Sequence, residues 1–170
     1  MVESIIVLFF LCILFFFLFD YARLLICRTT LDYAASRCAR ARAVGFNDFM
    51  ILKTARIGAM AVSGECLTRM NDDSAPSTAA LVSRMGSYLE TTSPPETPGI
   101  LDFERWQNGR LRWSCAEPRG ERSELTMHVW QRQPVFNSFN PPGAAAQDPA
   151  AEITLHGEAK IENHYPFYLK

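Results

Sequence analysis

The residues of this chain that can do chemistry are few and widely spaced. Glu3 is the only charged side chain before Asp20, and it heads the apolar run at 5–19. A carboxylate there either stays solvated at a membrane edge or finds a positive partner among apolar helices, because an unpaired buried charge is costly. His128, His156 and His164 are the only histidines. His156 and His164 flank Glu158 and Glu162, and a metal site can be imagined from these four. Strand alternation sets His156 apart by face from its neighbours, and no metal is assigned. Serine, histidine and aspartate are all present, but no G-x-S-x-G elbow frames them. No glycine-rich phosphate loop occurs. The reading is a non-enzymatic chain with no catalytic residues and no cofactor.

Five cysteines divide by surroundings. Cys12 lies inside the apolar run and Cys27 near its end, where a thiol packs as a small hydrophobe. Cys38 follows on the same helix. Cys66 and Cys115 fall in the polar remainder, where an oxidising compartment would let them pair. A Cys66–Cys115 disulfide and two buried thiols both fit, and no C-x-x-C spacing suggests a metal.

The elements that must position these residues begin with the run itself. Fifteen apolar residues at about 1.5 Å each make roughly 22 Å of helix, short of a ~30 Å hydrocarbon core. Tyr21, Ala22 and residues 24–27, with Arg23 able to snorkel, bring the stretch to spanning length. It reads as a retained segment and not a cleaved signal peptide, since no basic stretch precedes it and no small-x-small site follows. From Leu24 the apolar positions continue at Cys27, Leu31, Ala34, Cys38 and Ala41, one stripe at three-four spacing. Arg28 and Asp32 fall at i, i+4 on another face, and Asp20 with Arg23 form an interfacial pair. The large side chains of the run give way to alanines, so another backbone can approach closely. One helix over 2–44 is therefore expected, apolar over 5–27 and amphipathic over 28–44, capped by Gly45. The stripe is assigned to packing against the protein's own sheet.

Asn47 can cap a second helix over 48–56 with Phe49, Met50 and Leu52 inward, while 57–62 is ambiguous. After a turn at 71–74, Pro76 opens a third helix to about 91, burying Leu81, Met85, Tyr88 and Leu89. Prolines 94, 95 and 98 stiffen a connector, and the period then changes to two. Asn108-Gly109 predicts a hairpin between strands at 102–107 and 110–116. Further strands fit 123–131 and 152–162, separated by a proline- and alanine-rich loop at 133–150. The last strand turns Ile153, Leu155, Gly157, Ala159 and Ile161 to one face. Trp106, Trp113 and Trp130 all fall in these strands and are assigned to a sheet core in preference to a carbohydrate platform. Residues 165–168 are assigned to the core as well. The expected class is α+β: a long N-terminal helix (1–45), then a domain (46–170) with short helices and an antiparallel sheet of about four strands.

Net charge is −1, with the first 45 residues at +2 and the rest at −3. No basic block in the polar part marks a nucleic-acid binder.

Glu3 ahead of the run, then Asp20, Arg23, Leu31, Ala34-Ala35 and Arg37/Arg40, resembles the TadE-like proteins, minor pilins or pseudopilins of tight-adherence (Flp, type IVb) pilus systems. The stretch 42–50 with Lys53 and Arg56 is also similar to the segment after the helix in some of these proteins. The resemblance covers about residues 1–60. It implies an apolar helix held in the inner membrane and later stacked beside the helices of other pilin subunits, with Ile5, Leu8, Phe9, Cys12, Phe16 and Phe19 at the stacking surface. In such subunits a glutamate at the fifth position of the mature chain can neutralise a neighbour's N-terminal amine, and Glu3 matches it. Here the glutamate is third and no basic leader stands before it, so either an additional N-terminal stretch precedes Met1, which is the expectation, or the chain is not processed by a prepilin peptidase. Five arginines follow the segment and none precedes it, which by the positive-inside rule would hold the domain in the cytoplasm. A basic leader would reverse that balance and leave the domain periplasmic.

The resemblance thus implies a structural minor pilin partnered by other subunits, an inner-membrane assembly platform and the lipid bilayer. A type II secretion pseudopilin, and a permanently anchored periplasmic binding domain, are the alternatives.

Overall fold

The computed structural model describes residues 2–67, 78–91, 100–116, 124–134 and 152–162. The expectations for the turn at 71–74, for Pro76 as a helix start, for the connector at 92–99, for most of the 133–150 loop and for residues 165–168 lie outside them.

Helix α1 spans Val2–Ala43, 42 residues and about 63 Å. No helix breaker interrupts it, and it ends in a Schellman motif. The Gly45 amide donates to the Arg42 carbonyl and the Phe46 amide to the Ala41 carbonyl, at 2.9 and 3.1 Å. Gly45 sits at φ +92°, the left-handed conformation this closure requires. Asn47 then caps α2 (Asp48–Gly58), its side chain accepting from the Met50 amide at 2.9 Å.

The buried face of α2 is Ile51 and Ala55, continued by Ala59, one i, i+4, i+8 line. Phe49, Met50 and Leu52, expected inward, are only half-buried. Small residues decide this docking: a β-carbon on Gly58 would lie 2.8 Å from that of Ala34 on α1. The ambiguous stretch after Arg56 finishes the helix and becomes a 3-10 turn at Met60–Val62. Helix α3 covers Thr78–Glu90, where Tyr88 is buried, Leu81 and Met85 are half-buried, and Leu89, expected inward, is exposed.

Among the described residues the sheet has three strands and not about four: β1 (Leu111–Ala116), β2 (Glu124–Pro134) and β3 (Glu152–Glu162), antiparallel in that order. The strand expected over 102–107 is instead a single bridge from Phe103 to Cys66, followed by a 3-10 turn at Glu104–Trp106. Asn108 and Gly109 do take the paired positive φ values (53° and 65°) that a type I′ turn needs. They join the 3-10 turn to β1, with the Arg110 amide on the Gln107 carbonyl. What diverts the segment is Trp106, which is buried, stacks on Tyr88 and donates to Ser63. Trp106 is thus a core residue, though outside any strand.

The inner face of the sheet carries Leu125, Met127 and Val129 of β2, with Trp113 and Cys115 of β1 opposite Val129 and Met127. This face and α2 enclose the second half of α1. Gly157 of β3 lies directly on the Leu31 backbone, and the Glu158 amide donates to Asp32 Oδ1 at 3.1 Å. The core is therefore built around α1, with Cys27, Leu31, Ala35, Cys38 and Ala39 in one cluster with Ile51, Tyr88, Trp106 and Val129.

Candidate functional site

Two halves of one helix face different surroundings. Between residues 3 and 19 every described side chain is exposed except that of Ile13, which is half-buried. Glu3 lies in the first turn, exposed. Ile5, Leu8, Phe9, Cys12, Phe16 and Phe19 are all exposed, Ile5 at 67 % and Phe16 at 42 %. The bare surface runs around the whole helix and not along a stripe. Contiguous apolar exposure on this scale far exceeds that of a water-soluble monomer. The run is also the one stretch among the described residues long and apolar enough to cross a bilayer.

The change of surroundings falls at Asp20. Asp20 is buried, its carboxylate 4.0 Å from the Arg23 guanidinium, which in turn donates to the Pro134 carbonyl at 2.5 Å. These contacts tie α1 to the end of β2. On the opposite face the apolar exposure continues through Tyr21, Leu25 and Ile26. Counted to Ile26, the bare length is about 33 Å, a match to a ~30 Å hydrocarbon core. One long apolar N-terminal helix of this kind fits a single-pass membrane anchor.

Below the boundary Leu24 is half-buried, and Cys27, Leu31, Ala34, Cys38 and Ala41 are buried. The Cys38 thiol donates to the Ile51 carbonyl at 3.6 Å, and burial pushes its pKa up to about 12. Lys53 on α2 is also buried. Its ammonium donates to the Leu89 and Thr91 carbonyls and lies 5.5 Å from the centre of the Tyr88 ring, while burial pulls its pKa down.

A polar knot holds the opposite side. The Ser63 hydroxyl donates to the Ala59 carbonyl and accepts from Trp106 Nε1 and Gln131 Nε2, at 2.7, 2.8 and 3.3 Å. Gln133 Nε2 donates to the Val62 carbonyl and to Gln131 Oε1, both at 3.0 Å, and its own Oε1 accepts from Arg105 at 2.6 Å. Two glutamines buried on a strand are thereby satisfied. Burial of the arm against α2 and the sheet makes the lower half of α1 a fixed part of the domain, so the rod above inherits the domain's orientation.

Cys66 lies at the bridge to Phe103 and Cys115 on β1 opposite Met127, and the two are not joined to each other in the structure. On the outer face of the sheet Trp130 lies beside His128 and His156. His156 and Glu158 are brought together there, with His128 of β2 as the third member. The expectation that alternation separates His156 from its neighbours fails for Glu158, which at i+2 shares its face of β3. Alternation does not show His128, whose place depends on the β2–β3 register. His164 lies outside the described residues.

Residues 1–40 match the family model described as TadE-like protein. No curated protein and no solved structure matches the chain.

Proposed function

We propose that this chain is a structural, non-enzymatic minor pilin, or pseudopilin, of a tight-adherence pilus system. The bare length at residues 5–26 lies in the inner membrane with the domain on the periplasmic side, and residues 3–19 stack against neighbouring subunit helices during pilus assembly. The observation that carries this reading is the helix bare on all sides over 5–19 and continuous with an arm locked into a folded domain. The match over residues 1–40 covers the rod and most of the arm.

Glu3 has a role in this reading that a plain anchor does not need. A carboxylate at the head of a rod stacked among apolar helices is stabilised by a neighbouring subunit's amine, and the pair sets the axial register between subunits. Stacking uses Ile5, Leu8, Phe9, Cys12, Phe16 and Phe19. Residues 28–44 transmit the rod's position to the domain.

Glu3→Ala tests this. The expected result is normal membrane insertion with loss of pili, or loss of co-purifying pilin subunits. Unchanged pilus number and unchanged co-purification would favour a permanent anchor carrying a periplasmic binding domain.

A further inference from the structure

We propose that His128, His156 and Glu158 form a binding site for one divalent late transition-metal ion, Zn2+ in the first instance. The side chains of the site stand on the outer face of the sheet, opposite the face that Gly157 turns to α1, and the site is independent of the assembly role.

The register builds it. His128 stands opposite Glu158, and Trp130 stands opposite His156, so His128 and His156 are diagonal neighbours on one face. Their ring nitrogens meet, His128 Nδ1 to His156 Nε2, at 2.9 Å. The nearest carboxylate oxygen of Glu158 completes a set of three donor atoms within 4.8 Å of one another. Two nitrogens on one tetrahedral Zn2+, each about 2.0–2.1 Å from the metal, stand about 3.3 Å apart. The pair needs to open by a few tenths of an ångström, and each ring to swing so that the two lone pairs, which now face each other, converge on the ion. Ligation requires both facing nitrogens to be unprotonated, so the proton in the present N–H···N bond moves to the other nitrogen of its ring.

Surrounding groups hold this geometry. The Trp130 ring stacks on both imidazoles, at 5.6 Å and 20° to His128 and at 5.4 Å and 27° to His156. The two imidazole planes lie within 22° of each other with centroids 5.1 Å apart, so the rings meet edge to edge through their facing nitrogens. The indole alongside both imidazoles limits their side-chain rotation, and the entropy lost on binding is correspondingly small. Lys160 pairs with Glu158 through Oε1 at 3.3 Å, which leaves the second carboxylate oxygen for the ion.

The donor chemistry selects the metal. Two imidazoles and one carboxylate suit Zn2+, Ni2+ or Cu2+, whereas Ca2+ and Mg2+ require oxygen ligands. Three protein ligands leave a coordination position for water or for a donor from another molecule.

The test uses the full chain in detergent, stripped with a chelator and titrated with Zn2+ against a chromophoric competitor. One equivalent should bind, and His128→Ala and His156→Ala should each weaken binding at least tenfold. Glu158→Gln should weaken it less. The double variant Cys66→Ser/Cys115→Ser should bind as the parent does, and the Co2+ form should show d–d absorption without a thiolate charge-transfer band. Because His156 is exposed, His156→Ala should keep the metal-free melting curve while losing the rise in Tm that Zn2+ gives the parent. Absence of saturable uptake, uptake untouched by His156→Ala, or uptake abolished by the cysteine changes would each overturn the site.

Discussion

Gly157 and Leu31 are in backbone contact: a β-carbon on Gly157 would stand 2.4 Å from the Leu31 carbonyl carbon and 2.5 Å from its oxygen. A strand reaches a helix this closely only where both surfaces are small, and here the glycine supplies the missing volume. The contact fixes β3 on α1 next to the Glu158 amide–Asp32 bond. Gly157→Ala must move the strand or the helix, since the obstacle is backbone and not a flexible side-chain end. The expected cost is about 1–3 kcal/mol in denaturant unfolding of the detergent-solubilised chain. Gly86 within α3 has nothing within 4 Å of a built β-carbon. Gly86→Ala should therefore stabilise, by about 0.5–1 kcal/mol. Equal effects at the two glycines would show that the close approach does not exist.

Ser63 uses its full hydrogen-bonding capacity, donating once and accepting twice. Ser63→Ala leaves the Trp106 indole and a Gln131 amide hydrogen without that acceptor, in a place closed to water. A loss of about 2–3 kcal/mol is expected. Trp106→Phe removes one of the stranded donors, so in the double variant the two losses should sum to less than their separate values. Additivity in that double-mutant cycle would show that the serine and the indole do not interact.

How much of this was legible in the sequence depended on whether a feature is local. The course of α1, its Gly45 end and the Asn47 cap follow from spacing and from one residue type in one place. The inward face of α2 did not, because Ile51 is as apolar as Phe49, Met50 and Leu52 beside it, and the side turned to α1 is set by the close meeting of Gly58 with Ala34. Asn108-Gly109 was correct as a turn and misleading as a hairpin. The strand expected before it was diverted when Phe103 bridged to Cys66 and Trp106 sank beneath Ser63. His128 could not be linked to His156 without the register between β2 and β3, which is a tertiary property.

Cys38 gives the fold an alkaline limit. Its pKa is raised from 9.0 to about 12, because the buried site disfavours the thiolate. Between those values the unfolded chain releases a proton that the folded chain keeps. The stability from this group is therefore complete below pH 9 and is lost as pH rises toward 12, at up to about 1.4 kcal/mol per pH unit. Lys53 acts in the opposite sense. Burial lowers its pKa below 10.5, so the unfolded chain binds the proton more readily and stability from Lys53 rises with pH up to that value. The comparison that isolates the thiol is unfolding free energy against pH for the parent and for Cys38→Ala. Above pH 9 the parent should fall relative to the variant, and parallel profiles would rule the thiol out.

Leu14 lies near the middle of the bare length of α1 and is 61 % exposed, while Leu25 lies near its lower end, two residues from Arg23, and is 44 % exposed. If this length occupies hydrocarbon, Leu14→Arg places a guanidinium near the bilayer midplane, at a cost of about 2.5–3.5 kcal/mol on an insertion scale. Leu25→Arg can extend its charge to the interface, as Arg23 can, and costs far less. Carbonate extraction of membranes should then show Leu14→Arg largely lost from the integral fraction and Leu25→Arg retained in it. Neither leucine belongs to the buried cluster, so the domain's thermal unfolding in detergent should be the same in both variants. Full membrane retention of Leu14→Arg would mean that this stretch is shielded by protein and not by lipid. The assembly reading would then have to start from a helix already covered before any filament forms.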